Sequence, residues 1–557
     1  MSDSPAAPAV DDSTMSPKQR LLAALTCQAV DRTPWVPFVG CHAGALLDVS
    51  ATEYLRSADH IFNGIAEARK RYAPDGLPIT FDLQIEAETL GCELNWAEQN
   101  PPAVVGHPLA SGVALADLNV PGPDAGRIPL VVEATRRAAE AFGDEIGLYG
   151  LITGPFTLAL HLQGTEIFMH MFDEPERVKE LMAFARDVAV AMADYYLDAG
   201  ADIVAVVDPM TSQIGPDQFT EFVTPYVAPV FEHIRGRGKL GSFFVCGHAQ
   251  QNVAVMCECR PDNVSVDENI PLEFVRDICL PRGVSFGGNL QLTSVLLLGG
   301  PADAQRNALA CMDTAGEMGF VLAPGCDLPY ATPPENLEAV AQLVTDPYQK
   351  DVARNLASED TDLAQLDMRE YGQQDKVIVD IVTLDSEACA PCQYMVGAVK
   401  AVAPEFEGIV EWREHKIKYR ESLVFMTSLM VRNVPTICID GQITFVSRIP
   451  PRDELIAAIQ RRINEKFRIK IHSHRASLYV MGDGGETCQL TVENIKTAIT
   501  ELGADVHVEL ITDENRMQFY GVVAAQTPAV VMARYSLKAV HSVPEVPIIK
   551  EWLKDLR

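Results

Sequence analysis

The chain is short of positive charge: 45 lysines and arginines stand against 76 aspartates and glutamates, a formal net charge of −31. Such a surface repels phosphate backbones and anionic lipid, which argues against nucleic acid and membrane surfaces as partners. Long apolar runs are missing as well, since none approaches the roughly 18–20 residues that span a bilayer. The opening Met1-Ser2-Asp3-Ser4-Pro5 has neither the basic nor the apolar region of a secretory signal. These absences place the protein in the cytoplasm. A disulfide framework is also excluded: thirteen cysteines spread over 557 residues stay reduced there unless they are catalytic, redox-active or metal-bound. Cys27, Cys92, Cys279 and Cys311 sit among apolar neighbours and read as small core residues. Cys257-Glu258-Cys259 has no further ligand nearby and reads the same way.

What is present is an alternation. The first 16 residues, rich in Ser, Pro, Ala and Asp, read as a disordered leader. From residue 17 to 346, helical stretches alternate with about eight short apolar runs, the pattern of a parallel α/β architecture and the number that closes a (β/α)8 TIM-type barrel. The runs are Trp35–Gly40, Leu77–Leu83, Gly147–Thr153, Asp202–Asp208, Gly241–Cys246, Asn263–Asp267, Gly283–Gly288 and Gly319–Ala323. Among the helices, Pro175–Ala199 carries Val178, Leu181, Met182, Ala185, Val188, Ala189 and Met192 on one stripe and stops at Gly200. Polar and sulfur side chains gather where the runs end: Cys41, His42, Asp82, Glu86, Thr153, Asp208, Cys246, His248, Asp267, Asn289 and Cys326. A barrel carries its chemistry at that end. For Asp208, Asp267 and Asn289, capping of a neighbouring helix is the competing reading.

A charged stretch, residues 347–374, reads as a linker. Beyond it, strand, helix, strand, helix and hairpin follow one another over residues 375–467, and a degenerate copy of the pattern fills 468–557. Cys389-Ala390-Pro391-Cys392 lies between a strand and a helix, where unpaired N–H groups and the helix dipole favour the thiolate of Cys389; Cys392 is the resolving thiol. Val434-Pro435-Thr436 precedes a later strand. The pair of motifs resembles the thioredoxin and glutaredoxin superfamily, in which a cis-proline lies against the dithiol, so the resemblance implies that role for Pro435. Zinc binding at this motif would need a second Cys or His pair, and only Cys438 is near. The second copy keeps Thr527-Pro528-Ala529 but reads Gly485-Glu486-Thr487-Cys488 at the dithiol position, and without the attacking sulfur it cannot cycle a disulfide alone.

Within the barrel, Phe81-Asp82-Leu83-Gln84-Ile85-Glu86, Gly150-Leu151-Ile152-Thr153-Gly154-Pro155, Asp208-Pro209, Gly288-Asn289-Leu290 and Ala323-Pro324-Gly325-Cys326 together resemble the methylcobamide:coenzyme M methyltransferases, which share a barrel with uroporphyrinogen decarboxylase. The resemblance implies transfer of a methyl group from a corrinoid, carried by a partner protein, to a small thiol activated by zinc. It implies Cys246 and Cys326 as two zinc ligands, Asp82 and Glu86 as catalytic groups, and Asp208 and Asn289 as residues facing the cofactor. The family's histidine ligand falls on Phe244, which cannot bind metal; His248 on the same loop is the substitute, with His42 or Glu86 as further candidates. Decarboxylation of a porphyrinogen is the weaker reading, because Trp35–His42 carries no arginine to hold a polycarboxylate. A further alternative makes the protein a thiol–disulfide oxidoreductase with the barrel as a binding scaffold. A thiol–disulfide reductant is an expected partner of the CxxC module.

Overall fold

Apolar runs bounded by helices become a closed parallel sheet in the computed structural model, which describes residues 15–355, 371, 376–387, 389–429, 431, 433–473, 477–504, 506–520, 522–532 and 536–554. The expected leader and linker lie largely outside the described residues. In chain order the strands are β1 (Gly76–Pro78), β2 (Glu93–Asn95), β3 (Ala103–Gly106), β4 (Gly147–Thr153), β5 (Ile203–Val207), β6 (Leu240–Val245), β7 (Asn263–Val266), β8 (Ser285–Leu290) and β9 (Phe320–Pro324). All but β2 and β3, which form a hairpin of their own, join one parallel sheet in the order β1-β4-β5-β6-β7-β8-β9. The eighth position is held by a single residue. Trp35 makes an isolated parallel bridge to Leu322, and its carbonyl accepts the N–H of Asp75 ahead of β1. The expected strand over Trp35–Gly40 is not formed, because Pro34 and Pro37 bring no N–H to a ladder. The result is a TIM-like barrel with one vestigial stave.

Its interior is filled by side chains of alternate strands. Phe38, Phe81 and Phe244 meet edge to face at 5.3–6.0 Å, with Tyr149 against Phe38 at 6.3 Å. The helix Pro175–Asp198 buries the stripe expected of it and ends just ahead of Gly200, whose φ of +109° a side chain would resist.

The chain divides into two compact units, Met1–Tyr371 with Ile378–Ile456, and Gly372–Val377 with Ala457–Arg557. In the first unit the barrel is joined by a lobe with β10 (Val377–Thr383), β11 (Val410–Lys416), β12 (Thr436–Ile439) and β13 (Gln442–Val446), in sheet order β11-β10-β12-β13. The hairpin turns at Asp440-Gly441, both in the left-handed region. The second unit repeats the order as β15-β14-β16-β17, with β14 (Ser477–Met481), β15 (His507–Ile511), β16 (Ala529–Met532) and β17 (Ser536–Val540). The Val434–Pro435 and Thr527–Pro528 peptides are cis. Among the described residues no helix is long and apolar enough to cross a membrane.

Candidate functional site

Cys246 follows β6 and Cys326 follows β9, so the barrel carries both to its C-terminal rim although 80 residues separate them. Their sulfurs are 2.7 Å apart. Either sulfur can donate to the other. The contact with Cys326, with burial, holds the Cys246 thiol well above the usual range. The same contact lowers Cys326, while burial together with the nearby Asp327 and Asp267 charges moves it upward overall. Beside them Gly247 N–H donates to Asp267 Oδ2 at 2.5 Å, and burial raises the Asp267 carboxyl to about 6.

Both thiols line a cavity of about 130 Å3. Its opposite wall comes from the first C-terminal lobe through Leu384, Asp385, Cys389, Ala390, Pro391 and Lys418. Cys389 caps the helix Ala390–Val402, its sulfur accepting the Cys392 N–H at 3.4 Å; Cys389 is partly exposed and Cys392 wholly buried. The acidity expected of Cys389 is opposed in the chamber: its contact with the Cys392 thiol and its burial push it well above the ordinary thiol range. Asp327, directly after Cys326, also lines the cavity. Burial drives its carboxyl well upward against N–H groups donated by Cys41 and Leu328. It fits only because residue 40 is glycine, where a Cβ would lie 1.8 Å from Asp327 Oδ1. That oxygen is buried without a hydrogen-bond partner, as is Glu268 Oε2.

Other expected site residues do not reach the cavity wall. Asp82 is buried against Arg127, whose Nη1 donates to Asp82 Oδ2 at 2.5 Å, and its second oxygen accepts the Gln84 N–H. Glu86 accepts from Thr153 N–H and Oγ1 at 2.9 and 2.8 Å, with burial raising its carboxyl. Asp208 caps the start of the helix Pro155–Gln163, accepting from Phe156 N, Thr157 N and Thr157 Oγ1 at 3.1, 2.8 and 2.6 Å. Asn289 donates to the carbonyls of Asp267 and Ile270. Pro435 directly precedes β12 and is not among the lining residues. The polar contacts of Asp82, Glu86, Asp208 and Asn289 tie neighbouring segments of the rim together. Arg127 and Asp327 were missed by the sequence reading; Asp327 adjoins a flagged cysteine, whereas nothing local marks Arg127.

The implied zinc finds two thiols here and no third ligand. Phe244, at the expected histidine position, is packed among Phe38 and Phe81. His248 is not in the cavity wall, and its Nδ1 is buried without a partner. Among the described residues no three His, Cys, Asp or Glu side chains gather as a metal site. The described residues therefore do not complete a zinc centre.

Comparison with known proteins places the barrel. The methylcobamide:CoM methyltransferase MtbA of Methanosarcina acetivorans is 26% identical over 342 residues, covering 59% of this chain and 97% of that protein. A uroporphyrinogen decarboxylase of Anaeromyxobacter dehalogenans is 26% identical over 343 residues, covering 58% and 97%. A solved methyltransferase from Methanosarcina mazei superposes with a TM-score of 0.55 at 24% identity, covering 60% of this chain and 99% of that one, which supports the barrel fold. The family model for uroporphyrinogen decarboxylase (URO-D) matches residues 16–346, more than half of the chain, and the protein belongs to that family.

Proposed function

We propose that the chain moves a methyl group from a corrinoid, brought by a separate protein, to the sulfur of a small thiol. In this reading the barrel spans residues 17–346, and the lobes over 375–467 and 468–557 are thioredoxin-like, the first a thiol–disulfide module served by an external reductant and the second lacking its dithiol. The observation that carries the reading is the meeting of Cys246 and Cys326 at the C-terminal rim of a URO-D family barrel. The relatives' names supply the methyl donor and the thiol. Sulfur is the right atom for the task, being the most nucleophilic that a protein offers at neutral pH.

This chain's residues do the positioning. Cys246 and Cys326 share a hydrogen bond in the cavity wall, and burial keeps both thiols above the ordinary range. Asp327, its carboxyl driven upward by burial, stands in the same wall. Glu86 and Asp208 hold the rim loops in place. No step runs through zinc, because the donor set is incomplete.

The decarboxylase reading fares worse. The cavity wall contains no arginine, and its one cation, Lys418, is paired with Asp385 at 2.5 Å.

Anaerobic, reduced protein mixed with methylcobalamin and a panel of small thiols tests the proposal by the absorbance change on demethylation. Demethylation lost in Cys326→Ala supports it. Turnover of uroporphyrinogen with no response of methylcobalamin to any thiol overturns it.

A further inference from the structure

The dithiol motif faces inward. The residues around it bind the barrel rim: Gln393 Nε2 donates to the Val104 carbonyl, Tyr394 OH meets His161 Nδ1 at 3.4 Å, and the Tyr394 ring stacks on His107 at 6.2 Å. Asn100 Nδ2 reaches Asp385 Oδ2 at 3.2 Å, and on another side Gln213 bonds Ser447 and Ile449 at 3.1 and 3.0 Å. Held this way, Cys389 opens onto the cavity that Cys246 and Cys326 line from the other side. A folded protein disulfide cannot enter so small a space. The sulfurs that Cys389 meets there belong to the barrel.

We propose that Cys389 and Cys392 exchange thiol for disulfide with the Cys246–Cys326 pair, so that the barrel rim is itself a redox-active dithiol. The inference rests on the reading of the first lobe as a thiol–disulfide module. Three observations carry it. The barrel thiols are in contact, so a bond between them forms without backbone movement. Among the described residues no third ligand gathers with them to commit them to a metal. Cys389 lines the same cavity as Cys246 and Cys326.

The step balances within the chain. Starting from a Cys246–Cys326 disulfide and a reduced CxxC, the Cys389 thiolate attacks Cys246 Sγ, the 246–326 bond breaks, and Cys326 leaves as a thiolate and takes up a proton. Cys392, losing its proton, attacks Cys389 Sγ; the mixed disulfide breaks and Cys246 leaves as a thiolate and is protonated. Two electrons and two protons pass to the barrel, and the lobe is left oxidised. A small organic disulfide entering the cavity oxidises the barrel pair, and an external dithiol reduces the lobe. Cysteines 389 and 246 are thereby a relay between that dithiol and the cavity.

The test is a trap in the full chain. Cys392→Ser/Cys326→Ser leaves one thiol in each pair; after mild oxidation with hydroxyethyl disulfide, peptide mass mapping should find Cys389 joined to Cys246 at least ten-fold above the level in a Cys392→Ser/Cys326→Ser/Cys246→Ala control. In wild type, titration through a glutathione redox buffer should show both the 389–392 and 246–326 disulfides, with the second reduced more slowly in Cys389→Ser. If Cys389 carries only hydroxyethyl adducts while the 389–392 disulfide forms normally in wild type, the lobe is a redox module and the relay is wrong. If the 389–392 disulfide never forms, the redox reading fails and takes the relay with it.

Discussion

Polar residues at the strand ends tie the rim together, and their replacement has measurable signatures. Asp208 accepts three hydrogen bonds at a helix start, and burial raises its carboxyl to about 6. A raised native pKa contributes stability that is complete below the unfolded value near 4 and is lost as pH rises through 6. Asp208→Asn removes that titration, so the wild type should gain about 1 kcal/mol relative to the variant between pH 7 and pH 5, read by urea unfolding at the two values. The buried Asp82–Arg127 pair gives a second signature. Arg127→Met leaves Asp82 charged and alone, and should cost about 3–5 kcal/mol of stability, seen as a large fall in melting temperature. A loss below about 1 kcal/mol would mean that Asp82 has water or another partner.

At the scale of elements, the helix Ala390–Val402 decides the reactivity of Cys389. Its N-terminus favours the thiolate, but packing that end against the rim brings burial and the Cys392 contact, which push the thiol upward. In the intact chain, alkylation of Cys389 should therefore still be rising at pH 9. Gln393→Ala/Tyr394→Ala removes two of the rim contacts and should raise the rate at pH 7 by about ten-fold, a shift of one pKa unit. An unchanged rate would show that the docked rim does not control the thiol. The strand ends work in the same way: Gly40 and Gly325 leave room where Asp327 and Glu268 press in, so that carboxyls with unpartnered oxygens sit beside the sulfurs.

For the whole molecule, the lobe covers the cavity through which, on the proposed function, a corrinoid protein delivers a methyl group. Delivery and docking should compete, and the Gln393→Ala/Tyr394→Ala chain should demethylate methylcobalamin faster than wild type. Metal content gives an independent check. Reduced, anaerobically purified protein should hold well under one zinc per chain, since the barrel brings only two thiols together. One zinc per chain, lost in Cys246→Ala/Cys326→Ala, would restore the metal mechanism and remove the relay.

The sequence by itself determined what depends on local pattern. Apolar runs spaced by amphipathic helices specify the parallel sheet, and Cys389-Ala390-Pro391-Cys392 before an apolar helix specifies a capped dithiol. Cys246 and Cys326 were legible as a pair through the family resemblance, by their positions at the ends of apolar runs. The tertiary structure alone decided partners: that Asp82 meets Arg127, that Asp208 caps a helix some fifty residues upstream, and that Cys389 looks at Cys246. Local propensity acts over a few residues, whereas these contacts join segments 45 to 143 residues apart. Closure of the barrel and docking of the lobe bring them within reach, and no short stretch of sequence records that distance.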